Sequence, residues 1–335
     1  MNKTGINKKN LIPYALIKAE VNRLGFSAFG TAPAEEVADF HKQYQNLWTE
    51  AGYAAEMHYL ERNTAVRYDP RLLLEGAQTI ISLALSYAPP FNEREETNDR
   101  WCLAWYARGE DYHRVMKRKL ETLLKNLQKS VTESDSRYLL EGRTFCDTAP
   151  LMERYWAWRC GIGWIGRNHQ LIIPRQGSAF FLGELVINMK VDQYDRPFEK
   201  NFCGNCTKCI EACPTGALNN TYGLDARKCL SYLTIEHRGP IPEKEASKMY
   251  PCFYGCDRCQ AVCPHMKHAE PTQISEFKER SEIKNMTTDK WRTLDESQYQ
   301  ELFRHSAVKR VKFEGLLRNI KAMEDHHNTH NSSDQ

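Results

Sequence analysis

No apolar stretch among these 335 residues approaches the ~18 residues needed to cross a membrane. The first ten residues, MNKTGINKKN, have no apolar core and no small-residue cleavage site, so they do not read as a secretory signal. A charge excess is also missing. With 46 Lys and Arg against 43 Asp and Glu the net charge is only +3, and charge alone singles out neither nucleic acid nor a membrane surface as partner. The expectation is a cytoplasmic chain, large enough for one big core or two ordinary domains.

Cysteine is not scarce. Of the 12 cysteines, Cys102, Cys146 and Cys160 are scattered singly and the rest fall from Cys203 to Cys263. Disulfide-stapled chains are typically short and exported, so in a cytoplasmic chain this concentration points to metal rather than to disulfides. The three scattered thiols are expected to be small buried hydrophobes.

Apolar periodicity organises the rest. Helical spacing covers residues 11–24, ending at Gly25, and a second helix is expected over about 35–50. The run TIISLALSY at 79–87 reads as a buried strand, and SAFFLGELVINM at 178–189 as another. Between them, 111–128 places Met116, Leu120, Leu123, Leu124 and Leu127 on one stripe, with Asp111 as helix cap. A further helix is expected from Ala149-Pro150 to about Cys160, capped by Asp147 or Thr148. Residues 1–195 therefore form an α/β (α+β) domain. A cysteine module follows at 196–270, then a helical segment at 271–323, then a polar tail, 324–335, expected to be disordered.

The first cysteine run is Cys203-x2-Cys206-x2-Cys209-x3-Cys213-Pro214, the spacing of two-cluster bacterial ferredoxins, in which the fourth cysteine serves the other cluster. Zinc sites usually show two separated pairs instead. The second run, Cys252, Cys256, Cys259 and Cys263-Pro264, is irregular, with Phe253 where a regular copy has cysteine. The crossing rule gives one 4Fe-4S cluster Cys203, Cys206, Cys209 and Cys263. The other takes Cys213, Cys256, Cys259 and either Cys229 or Cys252, a choice that spacing leaves open.

Other motifs match only in part. Gly161-Ile-Gly163-Trp-Ile-Gly166 has dinucleotide-loop spacing, but it follows a predicted helix and precedes a strand, the reverse of the required context. Its glycines suit a tight turn or the close approach of a bulky flat ligand. Asp111-Tyr-His113 lacks the glycine of the cobalamin motif it partly matches, so nothing argues for a histidine on cobalt. Trp156, Trp158 and Trp164 read as core packing. Lys309, Arg310, Lys312, Arg318 and Lys321, interleaved with Phe313, Leu316 and Leu317, read first as a solvated face and second as a phosphate contact.

Together these segments resemble the epoxyqueuosine reductase family over about 55–320. The resemblance rests on Arg67-Tyr-Asp-Pro-Arg, Tyr106-Ala-Arg-Gly-Glu-Asp-Tyr-His113, Asp147-Thr-Ala-Pro, Phe180-Phe-Leu-Gly-Glu184, the first cysteine run, Cys229-Leu-Ser-Tyr-Leu-Thr-Ile-Glu-His237, Gly255-Cys-Asp-Arg-Cys-Gln260 and Gly315-Leu-Leu-Arg-Asn319. It implies a cobalamin-binding domain like that of the reductive dehalogenases, without a histidine ligand to cobalt and fed by two 4Fe-4S clusters. The substrate implied is tRNA carrying epoxyqueuosine at its wobble position, with an external electron donor and a monomeric enzyme. Asp147 takes the proton donor's place, Cys229 completes the second cluster, and Cys252 becomes an extra thiol. Arg67, Asp147, Leu171, Leu182, Ser231 and Asp257 would lie near the corrinoid. Many members continue into a C-terminal helical-repeat extension, before which this sequence stops. Two rival readings are a reductive dehalogenase, disfavoured by the lack of a twin-arginine signal, and a non-catalytic electron carrier.

Overall fold

The computed structural model describes residues 11–94, 100–221 and 223–332, the last six without their side chains. Its centre is a four-stranded sheet in which β1 (Ala28–Pro33), β2 (Thr79–Ser86), β3 (Gly142–Phe145) and β4 (Phe180–Ile187) stand in the order β1-β2-β4-β3. Every pairing is antiparallel, with Thr79 opposite Ile187 and Ser86 opposite Phe180. Apolar residues run continuously along β2 because helices cover both faces of the sheet.

Alternation along the strands sorts the core. Ile81, Leu83, Leu85 and Leu185 join the apolar stripe of α3 (Tyr112–Ser134), together with Ile17 and Val21 of α1 (Tyr14–Arg23). Ile80, Ala84 and Val186 face the other way, against Tyr155, Trp156 and Ala157 of α4 (Glu153–Arg159). Gly30 is required here, since a Cβ on it would sit 1.9 Å from the Cys160 carbonyl oxygen. The second helix of the chain, Asp39–Glu50, lies where expected but buries none of its residues.

The glycine turn behaves as the sequence context demands. It leaves α4 through Gly161 at φ +75° and enters a small hairpin pairing Trp164–Ile165 with Leu171–Ile172. A Cβ on Gly163 would meet the Ile172 carbonyl at 2.2 Å. The glycines thus serve the approach of hairpin backbone rather than of a nucleotide.

In the cysteine module two one-turn helices, Lys208–Glu211 and Arg258–Ala261, pack on each other. Each is followed within two residues by Cys-Pro, and proline cannot continue a helix. The C-terminal segment closes over this module. Trp291, Tyr299, Phe303, Leu316 and Ile320 form a separate core with Phe253, Tyr254 and Leu233, which also takes in Trp101 and Leu103 from the first half of the chain.

Three expectations are corrected. α4 begins at Glu153, not near Ala149, and neither Asp147 nor Thr148 caps it. Asp147 instead adopts φ +59° in a loop whose backbone is spent on local turns. Cys102 and Cys252 are not free thiols. They are disulfide-bonded, 150 residues apart in sequence with Cα atoms 4.6 Å apart, because Cys102–Leu103 and Cys252–Tyr254 pair as parallel strands. Finally, the last helix, α5 (Lys312–Ser332), runs on through most of the polar tail. Extending a formed helix is far easier than nucleating one, and Glu324 pairs with Arg292 at 2.6 Å at the point where disorder was expected to begin.

Candidate functional site

The thiols separate into two sets. Cys209 lies within electrostatic reach of Cys203, Cys206 and Cys263, and Cys263 in turn of Cys203 and Cys206. Cys259 senses Cys256 and Cys229, and last Cys209 of the first set; Cys256 senses Cys229, and Cys229 senses Cys213. The electrostatic neighbours follow the two crossed tetrads expected from the spacing, with Cys229 and not Cys252 beside the second. Cys252 is engaged with Cys102. Burial, and then the neighbouring thiols, push Cys259 well above its ordinary value. So many buried thiols without a cation are costly unless metal takes up their charge. Among the described residues no three ligands converge tightly enough for a single ion. Cluster ligands suit that spread, since each thiolate meets a different iron atom.

Neighbouring groups are aimed at these sulfurs. Cys229 is the N-cap residue of the helix Leu230–Ile235 without a side-chain cap hydrogen bond, and burial above all raises its thiol above the ordinary value. The Trp164 indole N–H donates to Cys203 Sγ at 3.5 Å. Trp164 therefore does more than fill core: its ring rests edge-on to His265 and Phe202 and links the hairpin to the first tetrad.

The segment at 101–108 fastens the second tetrad to the α+β domain. The Trp105 N–H donates to Asp257 Oδ2 at 2.7 Å and the Ala104 N–H to the Tyr254 carbonyl at 2.8 Å. Asp257 is thus turned toward Trp105 and Gln260. The motif at 315–319 finds its purpose on the same side. Arg318 donates to the carbonyls of Leu233, His237 and Gly239, and buried Asn319 to that of Thr234. Arg310 pairs with Glu236 through two bonds at 3.0 and 2.7 Å. Arg310 and Arg318 of the basic stripe therefore double as internal scaffolding, while Lys309, Lys312 and Lys321 are exposed as on a solvated face.

Asp147 stands at the end of the sheet. Its Oδ2 accepts from the Tyr112 hydroxyl at 2.7 Å and from His113 Nε2 at 3.2 Å, while its own N–H donates to Glu153. Oδ1 has no hydrogen-bond partner among the described residues. Its side chain is 58% exposed. The bond from His113 above all, resisted by burial and aided by Tyr112, holds the Asp147 carboxyl below its ordinary value. Burial works against charge on His113, but its bonds to Asp111 and Asp147 prevail and raise it to about 9. Burial and the Asp147 charge raise Glu153 to about 7. Behind it Glu184, fully buried and bonded to Ser82 at 3.1 Å, is also pushed up by burial.

Arg67 is 8% exposed, donates to the Tyr59 carbonyl at 3.1 Å, and keeps a buried Nε with no partner. Tyr59, raised above all by burial, lies within electrostatic reach of Glu236, Asp147, Arg310 and Arg67. Leu171 is buried in the hairpin and Leu182 half-buried on β4, on the face of the sheet that packs α4. Ser231 is half-buried beside Cys229. Reading the sequence alone gave Tyr112 and His113 no role at Asp147, although both lie in the partial cobalamin motif at 111–113 and in the family motif that ends at His113.

Fold and thiols define a redox protein in which a two-cluster iron-sulfur module is built into an α+β domain carrying a carboxylate site. Residues 202–266 match the 4Fe-4S double cluster binding domain, and residues 67–148 match the family described as epoxyqueuosine reductase QueG, DUF1730. The chain is 38% identical to the epoxyqueuosine reductase of Cyclobacterium marinum over 91% of its own length and 94% of that protein's. With the Synechocystis sp. enzyme it shares 37% identity over 88% and 99%. Among solved structures, epoxyqueuosine reductase with an epoxyqueuosine-modified tRNA-Tyr stem loop superposes with TM-score 0.82 and 30% identity, covering 93% of this chain and 80% of the other. The Bacillus subtilis enzyme, seen with its catalytic aspartate loop swung out of the active site, gives TM-score 0.81 and 30% identity over the same shares. This chain belongs to the epoxyqueuosine reductase family of oxidoreductases.

Proposed function

We propose that this chain reduces the epoxide of epoxyqueuosine, at the wobble position of a tRNA, to the alkene of queuosine, with Asp147 as the proton donor. The observation that carries this reading is the Asp147 carboxylate, held on Oδ2 by Tyr112 and His113 and open on Oδ1, in one chain with a double-cluster cysteine module. The tetrads would hold two 4Fe-4S clusters, each able to pass one electron at a time. Arg67, Tyr59 and Asp147 would stand around bound cobalamin, which would supply a strongly reducing, nucleophilic metal centre.

Arg67 suits that ligand because its buried, unpartnered Nε is costly until a polar group of a ligand meets it. Half-buried Leu182 would offer apolar surface, and we assign Leu171, Ser231 and Asp257 to the corrinoid's surroundings on the family resemblance. His113 is fully occupied by Asp111 and Asp147, which keeps it off cobalt. Asp147 gives a proton to the departing oxygen, which leaves easily only once protonated. With tRNA as substrate the compartment is the cytoplasm, and no helix among the described residues is long and apolar enough to cross a membrane.

The test is anaerobic turnover of epoxyqueuosine-containing tRNA with corrinoid and reductant supplied. Wild type should make queuosine, and Asp147→Asn should lose on the order of 10²–10⁴ in rate. No product from wild type sinks the function, and full activity in the variant removes Asp147 from it.

A further inference from the structure

Reduction of an epoxide to an alkene consumes two electrons and two protons and releases the oxygen as water. One carboxylic acid holds one proton. If Asp147 serves the oxygen, it must be charged twice in each turnover, and in the structure it stands beside groups that favour its ionised form. A proton source behind it is therefore a chemical requirement.

We propose, on the basis of that functional reading, that Asp111 and His113 form a proton relay that reloads Asp147 through His113 Nε2. His113 Nδ1–H donates to Asp111 Oδ1 at 2.8 Å, which fixes the ring and its tautomer and aims Nε2–H at Asp147 Oδ2, 3.2 Å away. The ring stacks on Tyr112 with centroids 4.0 Å apart, and Tyr112 lies flat on Phe181 at 4.4 Å and 2°. The pair is thus clamped between helix and sheet. Asp111 is also the N-cap of α3, its Oδ1 accepting the His113 backbone N–H at 3.0 Å. One carboxylate therefore starts the helix and orients the relay.

The balance is simple. As the first carbon–oxygen bond breaks, the oxygen takes the proton of Asp147. The imidazolium passes its Nε2 proton to the Asp147 carboxylate and becomes neutral. As the second carbon–oxygen bond breaks, the oxygen takes that proton too and departs as water. The two electrons come from the clusters by way of the bound cofactor, and the imidazole recovers its proton from solvent, to which its side chain is 33% exposed. The charged or titratable groups facing His113 are Asp111 at the cap, Tyr112 on its own helix, Asp147 in the loop and Glu153 at the start of α4, with Arg114 beyond Asp111. Acidic groups outnumber basic ones, so the ring is held protonated near neutral pH. His113 does not touch the oxygen. It is a positioning and reloading residue that acts through Asp147.

The experiment pairs a titration with kinetics on the holoenzyme. In ¹⁵N-histidine-labelled protein, the His113 ring should stay protonated up to about pH 9 and lose its proton at least one pH unit lower in Asp147→Asn. Turnover of epoxyqueuosine-tRNA by wild type should fall with an alkaline limb at the same pH. His113→Gln should lower kcat on the order of 10–100-fold with KM within about twofold, and the alkaline limb should vanish. Asp111→Asn keeps a good helix cap while removing the charge, so it should stay folded and move the limb to lower pH. Unchanged iron-sulfur absorbance in each variant certifies the fold. A limb that persists in His113→Gln, or a His113 titration indifferent to Asp147→Asn, overturns the relay. A wild type inactive on this tRNA overturns the functional reading itself, which the histidine titration tests separately.

Discussion

Serine in place of Cys229 should cost this chain one whole cluster and spare the other. A chain loaded with two 4Fe-4S clusters carries about eight irons. The two thiol sets have no member in common, so removing one ligand disables one set only. Grouped by its electrostatic neighbours, Cys229 would serve with Cys213, Cys256 and Cys259. A serine hydroxyl there is a harder, more weakly donating ligand. After anaerobic reconstitution, Cys229→Ser should hold about four irons and as many sulfides, with the reduced spectrum of a single isolated cluster. Cys252→Ser should keep the full complement, since that sulfur is bonded to Cys102. Full iron in Cys229→Ser combined with loss in Cys252→Ser would refute the partition.

The other expectations are more local. The disulfide closes a loop of 150 residues, which by chain entropy is worth at most about 5 kcal/mol, so Cys102→Ser should lower the melting temperature under non-reducing conditions and bring no change once dithiothreitol is present. Trp164→Phe keeps an aromatic ring against Phe198 and Phe202 but removes the N–H bonded to Cys203 Sγ. Hydrogen bonds to cluster sulfurs favour the reduced, more negative state, so an EPR-monitored titration should find the first cluster harder to reduce, and an unchanged potential would deny the bond a role. The His113 group should also be visible in stability. Its value in the folded chain, about 9, lies above the ~6.5 of a free histidine, so its stabilisation is complete below ~6.5 and is lost as pH rises through about 9. Thermal unfolding should therefore weaken from pH 7 to 9.5 in wild type and stay flatter in His113→Gln.

Much of this protein was legible because its chemistry is written locally. Thiols two and three residues apart can only crowd one small object, and the crossing rule then assigns the partners of Cys213 and Cys263. The strand at 79–86 and the stripe on 112–134 were legible because burial imposes period and composition together. What escaped depends on contacts distant in sequence. Cys102 and Cys252 meet through two short parallel strands that no periodicity marks. Asp147-Thr-Ala-Pro carries the signature of a helix start, but the left-handed Asp147 and its N–H bond to Glu153 delay α4 by several residues and release the carboxylate from capping. The real cap in the region, Asp111, was recognised as a cap and for that reason not suspected of anything more.

The segment from Trp101 to His113 shows why the second half of that stretch is so specific to the family. At one end it is tied to the second thiol set, through Cys102 to Cys252, Ala104 to Tyr254 and Trp105 to Asp257. At the other it supplies Asp111, Tyr112 and His113 to Asp147. Between them, Gly109 passes so close to Glu276 and Phe277 that a Cβ would meet backbone at 2.5 Å, and Tyr106 lies between Tyr254 and Tyr112. Electrons and protons must arrive at the same bond in register. A single short stretch of chain, fixed at both ends and in the middle, sets the distance between their two sources, so a substitution anywhere along it displaces one relative to the other. No residue of it is exposed either, so its tolerance to change should be low.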